Sequence, residues 1–457
     1  MEGALAAARE LLPAWVVWGR VVAPPVFVFL TQLSVSAWTL LLLERSAGPN
    51  SGLHWTERAR RITRVTVAMR VMSWCILAPA LLVPGFLPNA LDPVPGGVVT
   101  IASLCAMYLG TYLGAPPVLR RVLGWELSAS EWRRSLLTRI LIFRSSTLIT
   151  FVCLLLVPKG PNAVQLTLLA AGAALIMFFE LGQGWRLLRA LGLAWELEVP
   201  PEVAAVNRKI RFLEVEMAMA NAVALPRASV VLVTRRAREA LEPQELAAGL
   251  YHELGHAFES RGVAMLRAST LPLLLTIAGL RPLLGWLGQP GTLVLLGGCL
   301  LLLVLARRRA RHWETQADTH AHGHLQDPRI FARATERLHI VNLTPAAMEQ
   351  RGTHPDLYDR MLAAGLTPEY PRPETASSGG GWVVIATLVL MAELVMLGEW
   401  TQPNPSPRDE QGLLRALAIG GYPAVHLRAL AEMRKQHGDA NSAEILRTAA
   451  QEIGSQR

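Results

Sequence analysis

Charge is scarce in this chain. Only 17% of its 457 residues are Asp, Glu, Lys or Arg, against 52% that are hydrophobic, which is too little charge for an ordinary pair of soluble domains. Cysteine is scarcer still. Cys75, Cys105, Cys153 and Cys299 all fall in apolar stretches, where a thiol packs as a small hydrophobe, so neither a disulfide framework nor a cysteine metal site is expected. No cleavable leader is expected: the first 20 residues hold Glu2, Arg9, Glu10 and Arg20, with no basic start running into a short apolar core and a small-residue cleavage site. The first apolar run is therefore expected to remain as an anchor. Lysine is nearly absent, 3 residues against 41 arginines, which reads as base-composition bias. The net charge, 44 minus 35 or +9, is dispersed among loops and forms no nucleic-acid-like patch.

What the chain has in abundance is uninterrupted apolar sequence. Runs at 21–43, 71–91, 93–119 and 160–179 are near or above the roughly 20 residues that cross a bilayer as a helix. A fifth span is expected at 140–158 with Arg144 reaching the interface from its end, 268–306 is long enough for a tight hairpin turning at 288–291, and 377–397 is the last. The expected fold class is mostly α: a polytopic helical membrane protein of seven to eight spans. Arg58, Arg60, Arg61 and Arg64 follow the first span, Arg120, Arg121, Arg133 and Arg134 the third, and Arg307, Arg308, Arg309 and Arg311 the seventh. Alternation puts these loops on one side, and the excess of arginine marks that side as the cytoplasm.

The expected organisation follows. An N-terminal membrane domain at 1–184 is succeeded by a polar segment at 185–267, the hairpin at 268–306, a second polar segment at 307–376, a last span at 377–400, and a linker with a helical tail at 401–457. Within the first polar segment, 228–234 is valine-rich and reads as a strand. Pro243 then begins a helix, with Glu242 and Glu245 near its positive end and Arg261 with Gly262 as a stop. In the tail, Leu430, Ala431, Gly438, Asp439, Ala443 and Leu446 resemble part of a tetratricopeptide helical hairpin. One such unit cannot bury a core alone, which leaves room for a protein partner.

The chemistry concentrates at His252, Glu253, Leu254, Gly255 and His256, an HExxH pattern. Residues four apart share a helix face, so both imidazoles can reach one zinc ion, while Glu253 on the neighbouring face can hold the attacking water. A catalytic zinc takes three protein ligands and keeps one position open. Glu259 lies about 10 Å further along the axis than His252 and is set aside. Glu314 is the better third ligand, because Ala317 permits close helix packing and Asp318, one turn on, can orient a ligating histidine. One zinc per chain is expected. The valines around Val230, Val231 and Val233 are expected to bind an extended peptide by edge pairing.

With these residues in view, the chain resembles the integral-membrane gluzincins that include the type 1 CAAX prenyl protease and the bacterial heat-shock membrane protease HtpX. The resemblance covers about 221–361. It rests on Asn221-Ala222 before a strand, on HExxH, on an ExxAD motif at Glu314, Ala317 and Asp318, and on Thr353-His354-Pro355 followed by Arg360. It implies a cytoplasmic gluzincin-type catalytic domain with a small β element in a bacterial inner membrane. It further implies that Asn221 belongs to the substrate-binding strand and that His354 and Arg360 help hold substrate and the reacting carbonyl oxygen. The implied function is a membrane zinc endopeptidase with Glu253 as general base, acting on a peptide or membrane-protein substrate, with the bilayer as its other partner and no nucleic acid. A sensor that cuts itself or one partner, and a zinc-stabilised scaffold without turnover, are the competing readings; Glu253, which metal binding does not require, favours an enzyme. His312, His320, His322 and His324 read as surface residues or as neighbours of the ligands, and Glu180 and Glu393 as carboxylates at the ends of apolar spans.

Overall fold

A backbone surrounded by lipid must satisfy its own amides, so long uncharged runs fold as helices. The computed structural model describes residues 2–86, 96–157, 163–259, 261–348, 355–376 and 423–455, with 410, 413, 414 and 417, and helix dominates it. Among the described residues four helices are long and apolar enough to cross a membrane: Val21–Ala47, Gly97–Leu123, Ala163–Glu180 and Pro290–His324. Two bent pairs, Ala129–Phe143 with Ser145–Leu154 and Thr270–Ala278 with Leu280–Gly288, bring the number to six if each pair is one span. The run at 71–91 begins inside helix Trp55–Phe86 and continues past the described residues. The run at 377–397, Glu393 and the proline linker lie outside them.

The bends have local causes. Arg144, expected as an anchor at the end of a span, sits at a 67° break with φ −129° and ψ −16°. Gly288 has φ 64° and ψ 179°, a conformation open only to glycine, and Pro290 opens the helix that runs on to His324. A helix break thus falls at Gly288, within the 288–291 stretch, and a bend of 80° at Gly279 divides the segment before it. Glu180 ties three apolar helices together, its carboxylate accepting from the Ser146 hydroxyl at 2.6 Å and the Thr270 hydroxyl at 2.8 Å.

The chain divides into two compact units. One comprises the described parts of Met1–Trp38, Ala68–Gly114 and Gly379–Arg457, the other those of Thr39–Val67 and Ala115–Ser378. In the second unit Leu43, Ala47, Ala59, Ile62 and Val122, at the ends of the early helices, pack with Leu343 of the second polar segment. In the first unit, helices Pro423–Gln436 and Ala440–Ser455 make the expected tail hairpin, turned at Gly438 with φ 85°. Its Leu427, Leu430, Leu446 and Ala450 close a core against Ala8, Leu12, Val16 and Val17, so the chain's own N-terminal stretch covers the hairpin's apolar face.

The second unit contains one four-stranded sheet. Its strands are β1 (Ala194–Glu196), β2 (Arg211–Val215), β3 (Ala222–Leu225) and β4 (Val230–Thr234), in the order β1-β2-β4-β3. β2 and β4 run parallel and the other pairs antiparallel. Every residue of β4 is buried, as expected of a strand covered on both faces. Val231 and Val233 pack with Leu250 and Leu254 of the motif helix, Pro243–Ala257, while Val230 and Leu232 pack with Trp185 and Leu188 on the other face. The edge role expected of Val230, Val231 and Val233 is therefore corrected: β4 has a neighbour along each edge, and among the described residues the free edge on that side of the sheet belongs to β3.

Candidate metal centre

The motif helix is fixed at its start before it presents any chemistry. Pro243 takes the first position, where no amide is needed, and the Glu242 amide donates to Glu245 Oε2 at 3.0 Å. Arg337, from helix Arg329–Asn342, reaches Glu242 and Glu245 at 3.3 Å each. The apolar stripe of Ala247, Ala248, Leu250 and Leu254 lies buried against the sheet. That burial leaves His252 and His256 directed toward the helix that ends at His324. The motif helix itself ends at Ala257, four residues before the stop expected at Arg261.

Gly255 sets how close the two helices come. A Cβ at this position would lie 2.9 Å from the Ala317 Cα and 3.2 Å from the Cβ atoms of Ala317 and His320. With that contact closed, Glu314 faces both histidines. Its Oε2 lies 3.6 Å from His252 Nε2 and 3.6 Å from His256 Nε2, and the two rings stand at 84° with centroids 4.9 Å apart. Three ligands bound tetrahedrally at about 2.0–2.1 Å lie about 3.4 Å from one another, so the two Glu314 distances need only a few tenths of an ångström of closure. His252, His256 and Glu314 are all buried and form a group that could hold a metal ion, the one such group among the described residues.

Each histidine has an acid behind it. His252 Nδ1 lies 2.9 Å from Asp318 Oδ1. His256 Nδ1 meets Glu259 Oε1 at 2.9 Å; Glu259, unsuited as a ligand by its position along the axis, supports one instead. The contact to Glu259 is a hydrogen bond that sets the His256 tautomer with Nε2 toward Glu314, while Asp318 stands behind His252 at ion-pair distance. Arg360 forks onto Asp318, Nε to Oδ2 at 2.9 Å and Nη2 to Oδ1 at 2.5 Å. Its guanidinium lies 5.1 Å from the Phe331 ring, which stacks on His252 at 5.4 Å and 19°. Arg360, expected near the reacting oxygen, stands behind His252 through Asp318 in this structure. His354 lies outside the described residues.

Glu253 leaves the histidine face, as its spacing requires, and its Oε2 accepts the Ala224 amide of β3 at 2.7 Å. Asn221 precedes that strand, and its amide donates to the Thr234 hydroxyl at 2.8 Å. Asn342, which carries no motif signal, brackets the same strand: Oδ1 accepts the Ala220 amide at 2.9 Å and Nδ2 donates to the Ala220 carbonyl at 2.7 Å. His320 and His322 stay out of the cluster and pack on Phe258 and Phe331. A cavity of about 120 Å3 beside His256 is lined by Leu225, Pro226, Ala257, Glu180 and Arg227.

Four carboxylates, Glu253, Glu259, Glu314 and Asp318, surround two imidazoles and one guanidinium, an excess of negative charge that suits a divalent cation. The metal-free histidines respond to it. Burial opposes a charge on His256, but hydrogen bonds to Glu259 and Glu314 and the charge of Glu253 prevail and raise its pKa to about 9. His252 is raised likewise, against burial, by Asp318 and Glu314. A cation must displace these protons, so metal affinity should climb from pH 7 to about 9 and then level off, with proton uptake by the buffer falling over the same range. Calorimetric titration in buffers of different ionisation enthalpy measures both, and an affinity flat across that interval would contradict the charge assignment. In the metal-free chain the sign is the opposite: protonated His256 adds stability below about pH 6.5, and this is lost as pH rises through about 9.

Comparison with known proteins places the same region in context. Residues 195–365 match the model of Peptidase family M48, a segment that begins in β1 and takes in the sheet, the motif helix, Glu314, Asp318 and Arg360. The match supports a place in that metallopeptidase family. No curated protein shows detectable similarity to the chain.

Proposed function

We propose that this chain is a membrane-embedded zinc endopeptidase of the integral-membrane gluzincin kind, which hydrolyses peptide bonds in membrane-associated or misfolded membrane proteins on the cytoplasmic side of a bacterial inner membrane. The observation that carries it is the placement of Glu314 at 3.6 Å from both His252 and His256, with Glu253 on the histidines' helix. Arginine-rich loops support the cytoplasmic side.

His252, His256 and Glu314 would hold a zinc ion, which would supply Lewis acidity and lower the pKa of a water. Glu253 would act as the general base toward water and as the acid toward the leaving nitrogen. The free edge of β3 lies next to Glu253, and an extended peptide added there competes for the Ala224 amide that now binds the carboxylate. The bound substrate thus releases the base as it docks. A side chain flanking the scissile bond enters the cavity beside His256. Arg360 acts through Asp318 by holding His252 in orientation, and Glu259 does the same for His256.

Two outcomes test the assignment. His252→Ala, His256→Ala and Glu314→Ala should each lose most of the one zinc per chain, because two ligands leave an open and weak site. Elemental analysis of the purified variants decides it, and stoichiometric zinc in all three would overturn the ligand set. Arg360→Ala and Asp318→Asn should lower zinc affinity roughly 10-fold to 100-fold without abolishing binding, the usual cost of losing a group behind a metal ligand. Competition with a chromogenic chelator reads that change; affinity equal to the parent's would return Arg360 to the oxyanion role.

A further inference from the structure

The second unit contains a basic cavity that the chemistry above does not use. Its volume is about 590 Å3, and Trp185, Arg186, Arg189, Lys209, Arg211 and Ser229 line it. Four cations therefore face one space, and no carboxylate lines it. Arg189 reaches Glu196 at 3.0 Å; among the described residues no ion pair joins Arg186, Lys209 or Arg211 to an acid. Arg186 and Arg211 lie 5.8 and 5.9 Å from the Trp185 ring, whose π-face offsets part of their mutual repulsion. Like charges gathered around a hollow of this size suit an anion large enough to touch several of them, and a phosphate ester fits.

The surroundings select the source of that phosphate. The apolar helix Ala163–Glu180 ends five residues before Trp185, so the cavity opens where a span leaves its bilayer, the depth at which tryptophan concentrates. The short helix Gly184–Ala190 buries Trp185 and Leu188 but leaves Leu187 39% exposed, and Leu191 just beyond it is 61% exposed. Leu187 and Leu191, four apart, give the same short helix an exposed apolar face that does not itself line the cavity. A span end and an exposed apolar face on one short helix put the cations at a lipid surface, whereas a free phosphate would leave these leucines in water. We propose that this cavity binds the phosphate headgroup of an anionic phospholipid. Ser229, at φ 53°, closes the turn Pro226–Ala228 that follows β3, and Pro226 and Arg227 of that turn line the cavity beside His256. A bound headgroup therefore steadies the segment that leads out of the edge strand.

The test is native mass spectrometry on the full chain in mild detergent, with phosphatidylglycerol and phosphatidylcholine added in equal amounts. Phosphatidylglycerol should be retained preferentially, and 10 mM inorganic phosphate, on the order of a saturating dose for a free-anion site, should not displace it. Arg186→Ala with Lys209→Ala should weaken retention about 30-fold, at about 5-fold for each basic residue near an anionic surface. Arg186→Lys with Lys209→Arg should restore it, and zinc content reports that each variant is folded. Equal retention of both lipids by the parent chain would overturn the proposal without recourse to any variant. So would undiminished retention by the folded double alanine variant, and so would displacement by inorganic phosphate, which would make the ligand a soluble anion.

Discussion

Glu253→Gln should keep its zinc and its fold and lose nearly all cleavage. The amide is the same size, and its oxygen can still accept the Ala224 amide that Glu253 now binds at 2.7 Å, so β3 and the motif helix keep their contact. What the amide cannot do is take a proton at neutral pH. Removing a general base costs roughly 10²-fold to 10⁴-fold in rate, and under the proposed mechanism the same group would also deliver the proton to the leaving nitrogen. Rate and zinc content measured on one preparation separate this from a structural defect. A variant that cuts as fast as its parent would show that Glu253 is not the base, whatever the metal does.

Gly255→Ala should damage the same site from the packing side. Exposed glycine inside a helix costs about 1 kcal/mol relative to alanine, so the substitution would stabilise the chain if nothing stood opposite. Here the new methyl meets the Ala317 Cα at 2.9 Å, a backbone atom that cannot swing aside. Overpacking of that kind costs about 1–3 kcal/mol, which exceeds the helix gain. Ala317 is one turn from Glu314, and parting the helices carries the Glu314 carboxylate away from both Nε2 atoms, against a tolerance of about 0.2 Å for metal ligands. Zinc affinity and activity should therefore fall together, and Gly255→Leu should abolish both. Gly249 on the same helix supplies the control: a Cβ there meets nothing within 4 Å, so Gly249→Ala should raise the melting temperature and leave zinc affinity unchanged. If Gly255→Ala behaved like Gly249→Ala, the close helix contact would be wrong.

The ligands were legible because a helix converts spacing into direction without help from the rest of the fold. His252 and His256 share a face by periodicity alone, and Glu314 with Asp318 repeats the logic one helix away. Strand order has no such local code. β4 announces itself through consecutive valines, but its neighbours β2 and β3 come from separate stretches, and Ala222–Leu225 is four residues of modest strand character. An edge assigned from valine content therefore fell on the central strand. Glu259 was weighed only as a ligand, although its place three residues after His256 is the spacing of a partner for the ring. Arg360 was assigned from resemblance, and its fork onto Asp318 depends on helix Leu357–Ala363 packing beside the metal cluster, which no local pattern encodes. Asn342 left no signal, since an asparagine that caps a strand start 122 residues away looks like any helix-end asparagine. The apolar spans were legible as lengths. Their bends at Arg144 and Gly279 were not, because an uncharged run reads the same whether it crosses straight or turns.

The most direct test of a metal-dependent peptidase built on His252, His256 and Glu314 is cleavage of a model membrane substrate by the full chain in detergent, followed through removal and return of zinc. The metal content of the same samples should be determined throughout. One zinc per chain should be present at the start, cleavage should stop when a chelator removes it, and about one equivalent should restore it, with Glu253→Gln inactive at every stage. Cleavage that continues at full rate after the zinc is gone would contradict the account.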